Sequence, residues 1–299
     1  MRDWRIDDAH LLDLADGRRL EYRVSGPTDG TTLVFHHGTP GSCEQLRALA
    51  EAAHRRGLRV VTSSRAGYGR STRNPGRRVL DAAADTAQLL DALGIDHCLV
   101  TGWSGGGPHA LSCAAHMKDR VEAVLVIAGL APADVPDLDF LAGMGEANLE
   151  EFGLAGDGQD ALQPFLEEVA AGLRQLADAD LGHALDSLLS DADRRALTGR
   201  LADLGTQLKH GVSEGVSGWL DDDLAFLADW GFTVAEIEAP TSIWQGNEDL
   251  MVPVLHGRWL GANLAGASTH IEPGHGHLSI IAFFVDQMLD ELLALAGRH

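Results

Sequence analysis

The chain has 299 residues, 45% of them hydrophobic and 22% charged, the proportions of a folded globular protein rather than a disordered one. Acidic residues outnumber basic ones 44 to 23, for a formal net charge of −21, which argues against phosphate backbones, anionic lipid surfaces and polyanionic substrates. The N-terminal MRDWRIDDAH is charged where an export signal needs an apolar stretch, and no run approaches the ~20 apolar residues of a membrane span. Cys43, Cys98 and Cys113 have neither the even number of a disulfide framework nor the spacing of a zinc site. The expectation is a reduced, cytoplasmic protein, monomeric or homodimeric, that acts on a small molecule without nucleic acid, membrane, metal or cofactor.

Along the chain, RRLEYRVSG (18–26) alternates polar and apolar residues as a half-buried strand does. TTLVFHHG (31–38), LRVVTSS (58–64), HCLVTGW (97–103) and VEAVLVIAG (121–129) read as buried strands ending in small residues. Residues 44–56, 81–93 and 108–117 have helix-forming composition. Strand–helix alternation implies a mainly parallel sheet covered on both faces, because parallel neighbours need a crossover connection. Over 131–238 the strand-like runs vanish and Asp/Ala/Leu-rich helical segments replace them. The alternation then resumes with APTSIWQG (239–246), VLHGRWLGANL, ASTHIEP (267–273) and a closing helix over 278–296. The reading is one α/β domain, residues 1–130 and 239–299, interrupted by a helical insertion over 131–238.

Ser104 stands in Gly102-Trp103-Ser104-Gly105-Gly106, a G-x-S-x-G spacing between a buried strand and a helix beginning near Pro108. A tight strand-to-helix turn strains the serine backbone, tolerates only small neighbours, and lifts the hydroxyl above the sheet's carboxyl edge. It also sets the Gly105 N–H and the positive helix end beside any oxyanion formed there. HHGTPGS (36–42) offers the Thr39 N–H as the second oxyanion donor, acting through the loop's shape more than through its side chain. His36 and His37 are expected to fix that loop or line the pocket. Asp249, three residues past the strand end in GNEDLMVP, is the expected acid, with Glu248 as substitute. His277 at the start of the closing helix is the expected base, with His275 as substitute, because an imidazole can take the serine proton and return it to a leaving group.

These segments together, HGTPGS, SRAGYGRST (64–72), GWSGGGPHAL (102–111), GNEDLMVP and GHGHLS (274–279), resemble the α/β-hydrolase fold family and its small, capped bacterial serine hydrolases. The resemblance implies an eight-stranded, mainly parallel sheet with helices on both faces and a helical cap after the sixth strand. It further implies Ser104 as nucleophile, Asp249 as acid, His277 as base, and Thr39 with Gly105 as oxyanion hole. Relatives often carry an Asp before the Gly-x-Gly-x-Ser turn where this chain has Ser63-Ser64-Arg65, so the hydrogen bonding of that loop is open. A serine nucleophile disfavours epoxide opening and dehalogenation, which use Asp. His37, Trp103, Phe140, Met144 and Met251 are candidate substrate contacts, and Phe152, Phe165, Trp219, Phe226, Trp230 and Phe232 are apolar cap residues that could join them. The stretch DLDFLAGMGEANLEEFG is expected to overhang the serine as a mobile lid.

The activity expected is cleavage of a small-to-medium, mostly neutral ester, lactone or thioester through an acyl-enzyme on Ser104. Two alternatives stand beside it. One is a proline-iminopeptidase-like amidase, suggested by Gly38-Thr39-Pro40-Gly41 at a Gly-Gly-Pro-Gly position and by the acid-rich insertion. The other is a non-hydrolytic receptor that keeps the triad.

Overall fold

A computed structural model describes residues 7–177 and 180–298. Its strands are β1 (His10–Asp13), β2 (Arg19–Ser25), β3 (Thr31–His36), β4 (Leu58–Ser64), β5 (Cys98–Trp103), β6 (Val121–Ile127), β7 (Thr241–Gly246) and β8 (Ser268–Glu272). They form one sheet in the order β1-β2-β4-β3-β5-β6-β7-β8. The pairings of β2 with β1 and β4 are antiparallel and the rest are parallel. The central strands are buried on both faces, which is why they read as continuous apolar runs.

Five helices belong to this α/β layer: α1 (Arg47–Arg55), α2 (Asp81–Ala92), α3 (Gly106–His116), α10 (Val254–Asn263) and α11 (His277–Leu295). Helix α1 packs on α11 and α2 on α3. Between β6 and β7 lie only helices: α4 (Glu146–Asp157), α5 (Gln159–Gln175), α6 (Leu181–Ala184), α7 (Asp191–Leu197), α8 (Leu204–Gly211) and α9 (Ser217–Leu227), with short 3-10 turns. Within this segment α4 packs on α5 and α9, while α7 lies against α11 of the α/β layer. The edge strand β1 is absent from the sequence reading. Its four residues, HLLD, are mostly exposed and carry too little alternation to signal a strand.

The chain leaving β6 is pinned by His256 of α10. Its Nδ1 accepts the Ala131 N–H at 3.1 Å and its Nε2 meets the Phe140 carbonyl at 2.9 Å. The two bonds together demand a neutral ring with the proton on Nε2. Burial pushes this imidazole down to about 4, and burial likewise pushes His109 of α3 down to about 4. Below the ordinary histidine value near pH 6.5 the unfolded chain takes up these protons and the folded chain does not. Each group therefore withdraws stability as pH falls from about 6.5 towards 4. His256→Gln should remove its share. Between pH 7 and 5 the wild type should lose on the order of 1–2 kcal/mol more stability than the variant, read from urea unfolding at the two pH values.

Candidate active site

Ser104 follows β5 with φ +58°, a left-handed conformation that costs a non-glycine residue of order 1–3 kcal/mol and marks a forced turn. Its N–H donates to the Ile127 carbonyl at 2.9 Å and its carbonyl accepts the Gly107 N–H at 2.8 Å. A Cβ on Gly102 would land on the Gly106 carbonyl, and one on Gly106 would land on the His36 carbonyl. Close backbone crossing, rather than flexibility, explains the glycines. Helix α3 begins at Gly106, two residues earlier than expected, and Pro108 sits in its first turn, where a missing N–H costs no helical bond. Thr39, Ser104 and Gly105 all border one cavity.

Asp249 lies in the loop after β7. Its Oδ1 accepts the N–H groups of Met251 and Val252, each at 2.8 Å. Its Oδ2 accepts from Gln245 Nε2 and from His277 Nδ1, each at 2.8 Å. All four neighbours donate, so His277 carries its proton on Nδ1 and keeps the Nε2 lone pair free. Trp103 packs against the same imidazole, with ring centroids 5.4 Å apart. Ser104 and His277 face the same cavity without a direct hydrogen bond between them. The two substitutes stand elsewhere. Glu248 is exposed, and the His275 ring packs edge-on against Phe283 and Phe284.

The first turn of α11, which presents His277, is held by a residue from the inserted helices. Asp193 of α7 is buried; its Oδ2 accepts the His277 N–H at 3.0 Å, and its Oδ1 accepts those of Leu278 and Ser279 at 2.9 and 2.7 Å. These are the amides a helix start leaves without intrahelical partners, and a carboxylate there also meets the positive end of the helix. Nothing in the sequence spacing links residues 193 and 277. Asp193→Ala should lower stability by about 1–2 kcal/mol, and Asp193→Asn, which keeps acceptor oxygen, should recover part of that loss in urea unfolding.

A second aspartate from the insertion holds the loop that carries Thr39. Asp222 of α9 is fully buried. Its Oδ2 accepts from Thr39 Oγ1 (2.8 Å), Tyr68 OH (2.8 Å) and Arg65 Nη2 (2.6 Å), and its Oδ1 from Arg77 Nη1 (2.6 Å) and His109 Nε2 (3.1 Å). Although burial opposes it, the guanidinium groups of Arg65 and Arg77 hold this carboxyl well below the usual range. Arg65 also donates to the His37 and Gly38 carbonyls, so the Thr39 side chain matters more than the loop-shape argument allowed. His37 is fixed inside the network: its Nε2 accepts the Arg65 N–H at 3.1 Å, and it does not line the cavity. Ser64, at the departure from the family's Asp, donates to Glu21 Oε2 at 3.0 Å and accepts the Cys43 N–H at 2.9 Å. Asp222→Ala would leave two arginines buried without their counter-charge and should cost about 3–5 kcal/mol, measurable as a lower urea midpoint.

The cavity has a volume of about 310 Å³. Trp103, Met251 and His277 contribute from the α/β layer, and Phe152, Phe165, Trp219 and Phe226 from the inserted helices. Phe140 and Met144 are corrections to the sequence reading, since neither lines it. Phe140 packs edge-on against Phe152 and His256, and Met144 is buried. Trp230 and Phe232 pack on each other with tilted rings outside the lining. Two acids that the sequence reading passed over, Glu151 and Asp223, do line it. Their one visible signal is an aspartate run set between Trp219-Leu220 and Leu224-Ala225-Phe226. Among the described residues, Glu21, Cys43 and His210 bring metal-type donor atoms within 4.8 Å of one another. Glu21 is already paired with Arg70 at 2.7 Å, and none of the three borders the cavity.

Residues 31–283 match the alpha/beta hydrolase fold family. The chain is 36% identical to an uncharacterised hydrolase of Bacillus subtilis over 109 residues, 36% of each chain. It is 34% identical to a bifunctional esterase/perhydrolase of Acinetobacter calcoaceticus over 119 residues, 39% of this chain and 43% of that one. These matches thus span less than half the length of either relative. In structure it is similar to an enol-lactonase from Burkholderia xenovorans, with a TM-score of 0.69 at 19% identity, over 95% of this chain and 100% of the other. No helix of the described residues is long and apolar enough to cross a membrane.

Proposed function

Because the chain belongs to the alpha/beta hydrolase fold family, we propose that it is a serine hydrolase cleaving a small-to-medium carboxylic ester, lactone or thioester through an acyl-enzyme on Ser104. The observation that carries this reading is the bond from His277 Nδ1 to Asp249 at 2.8 Å, on the rim of the cavity that also holds the strained Ser104. It occupies Nδ1 and leaves the ring's other nitrogen, Nε2, without a protein partner and available to a serine proton. Substrate binding would close the gap between serine and imidazole, a contact often open in ligand-free sites.

Ser104 Oγ then attacks the carbonyl carbon while its proton moves to His277 Nε2. The N–H groups of Thr39 and Gly105 receive the resulting oxyanion, each such donor being worth about 3 kcal/mol in a water-excluded site. Collapse breaks the bond to the leaving oxygen or sulfur, which takes the proton from His277. Water repeats the sequence on the acyl-enzyme and releases the acid. Asp249 holds the ring in place through Nδ1 and stabilises the imidazolium. A cavity of about 310 Å³ suits an acyl and leaving group of modest size, and its apolar lining favours hydrocarbon around the reacting carbonyl.

Ser104→Ala should abolish labelling by an active-site phosphonate and lower kcat for p-nitrophenyl butyrate by at least about 10³-fold, with an unchanged circular dichroism spectrum. Labelling that persists in the variant would assign the nucleophile elsewhere. Labelling of the wild type without multiple turnovers on any of a series of esters, thioesters and lactones would favour the receptor reading.

A further inference from the structure

Three consecutive aspartates on α9 meet three different fates. Asp221 is matched by Arg73, with bonds of 2.8 and 2.9 Å, and Asp222 by Arg65 and Arg77. Asp223 is as buried as they are, at 1% exposure, yet neither of its carboxyl oxygens has a hydrogen-bond donor. It lines the cavity of Ser104. The group it meets there is another acid: Glu151 of α4, which lines the same cavity, lies within hydrogen-bonding reach of Asp223, and accepts the Trp219 Nε1–H at 2.7 Å. Two carboxyls without a counter-charge in an apolar wall, Asp223 buried and Glu151 half-buried, are costly, and a buried group such as Asp223 that the rest of the fold leaves without a donor calls for an explanation in the site's use.

From this juxtaposition we propose that Glu151 and Asp223 form a subsite for an alkylammonium group, primary or secondary, carried by an otherwise apolar substrate. Burial, and for Asp223 also the neighbouring Glu151, pushes both groups up, so the empty pair holds a proton more readily than exposed carboxyls do. An ammonium that displaces that proton leaves the net charge of the buried site unchanged. It also brings two or three N–H donors where the held proton supplies one. A neutral alkyl group of the same shape leaves Asp223 unsatisfied, and an anion is repelled. Phe165, Trp219 and Phe226, on the same cavity wall, provide the surface for the hydrocarbon that joins the nitrogen to the reacting carbonyl. The word substrate rests on the hydrolase reading above, whereas the binding itself needs no turnover.

The test is calorimetric titration of the wild-type chain with 3-methylbutan-1-ammonium and with its near-isosteric neutral analogue 3-methylbutan-1-ol, at pH 8 and fixed ionic strength. The ammonium should bind at least tenfold more tightly than the alcohol, and occupying the cavity beforehand with a phosphonate on Ser104 should block it. In Glu151→Gln/Asp223→Asn the ratio of the two affinities should fall to about one, and Asp223→Asn alone should lower it severalfold if the double variant does not fold. Equal affinities in the wild type overturn the proposal. So does an ammonium advantage that survives the double variant or phosphonate labelling, since that is the general attraction of an acidic surface for cations. The two readings fail separately: selective ammonium binding with no hydrolysis of any ester sinks only the hydrolase reading. Ester hydrolysis with indifference to the ammonium sinks only this subsite.

Discussion

The arrangement of this site depends on one buried carboxylate, Asp222, and on the cost of leaving its neighbours without it. Arg65 and Arg77 are as buried as Asp222, so neither arginine can fall back on water for its counter-charge. The carboxylate comes from an inserted helix and the arginines from the segment after β4. The need of these buried arginines for a counter-charge therefore obliges the insertion to sit on the rim of the sheet. Thr39 is bonded to the same oxygen as Arg65 and Tyr68, and the loop that would supply an oxyanion donor is fixed by the same requirement.

Asp193 repeats this logic at the other side of the cavity. There the insertion supplies the acceptor for the first amides of the helix that presents His277. Two carboxylates, at positions 193 and 222, thus tie α7 and α9 to the helix start that carries His277 and to the Thr39 loop respectively. Any opening that admits substrate has to leave both ties in place or lose the geometry they hold. That restriction points the motion expected of a lid towards other parts of the insertion, such as α4, whose residues Ala147, Asn148 and Phe152 border the cavity without belonging to either tie.

Much of this was legible in the chain because it is written locally. The buried strands appear as apolar runs, and the turn at Ser104 appears as glycines because backbone atoms cross where a Cβ would stand. The positions of Asp249 after β7 and of His277 at a helix start are local features too. The pocket was legible only in part, because Phe140 and Met144 have the same composition as residues that face the cavity, and only packing decides which way they turn. The ties through Asp193 and Asp222 were not legible. They join residues 84 and 183 positions apart, and in a chain with 44 acidic residues an aspartate in a helical segment reads as solvated surface.

Sequence proximity is equally silent on why neighbouring aspartates differ. Residues 221, 222 and 223 share a helix and a near-complete burial, yet successive side chains point about 100° apart around the axis. One turns to Arg73, the next to Arg65 and Arg77, and the third to the cavity. The first two are neutralised by the fold itself, and so their charge is complete before any ligand arrives. The third has no donor from the rest of the fold and lies beside Glu151. A fold that hydrogen-bonds arginines to two acids of a run and none to the third leaves that position open to a partner from outside the chain, which in the subsite proposed above is a donor-rich cation.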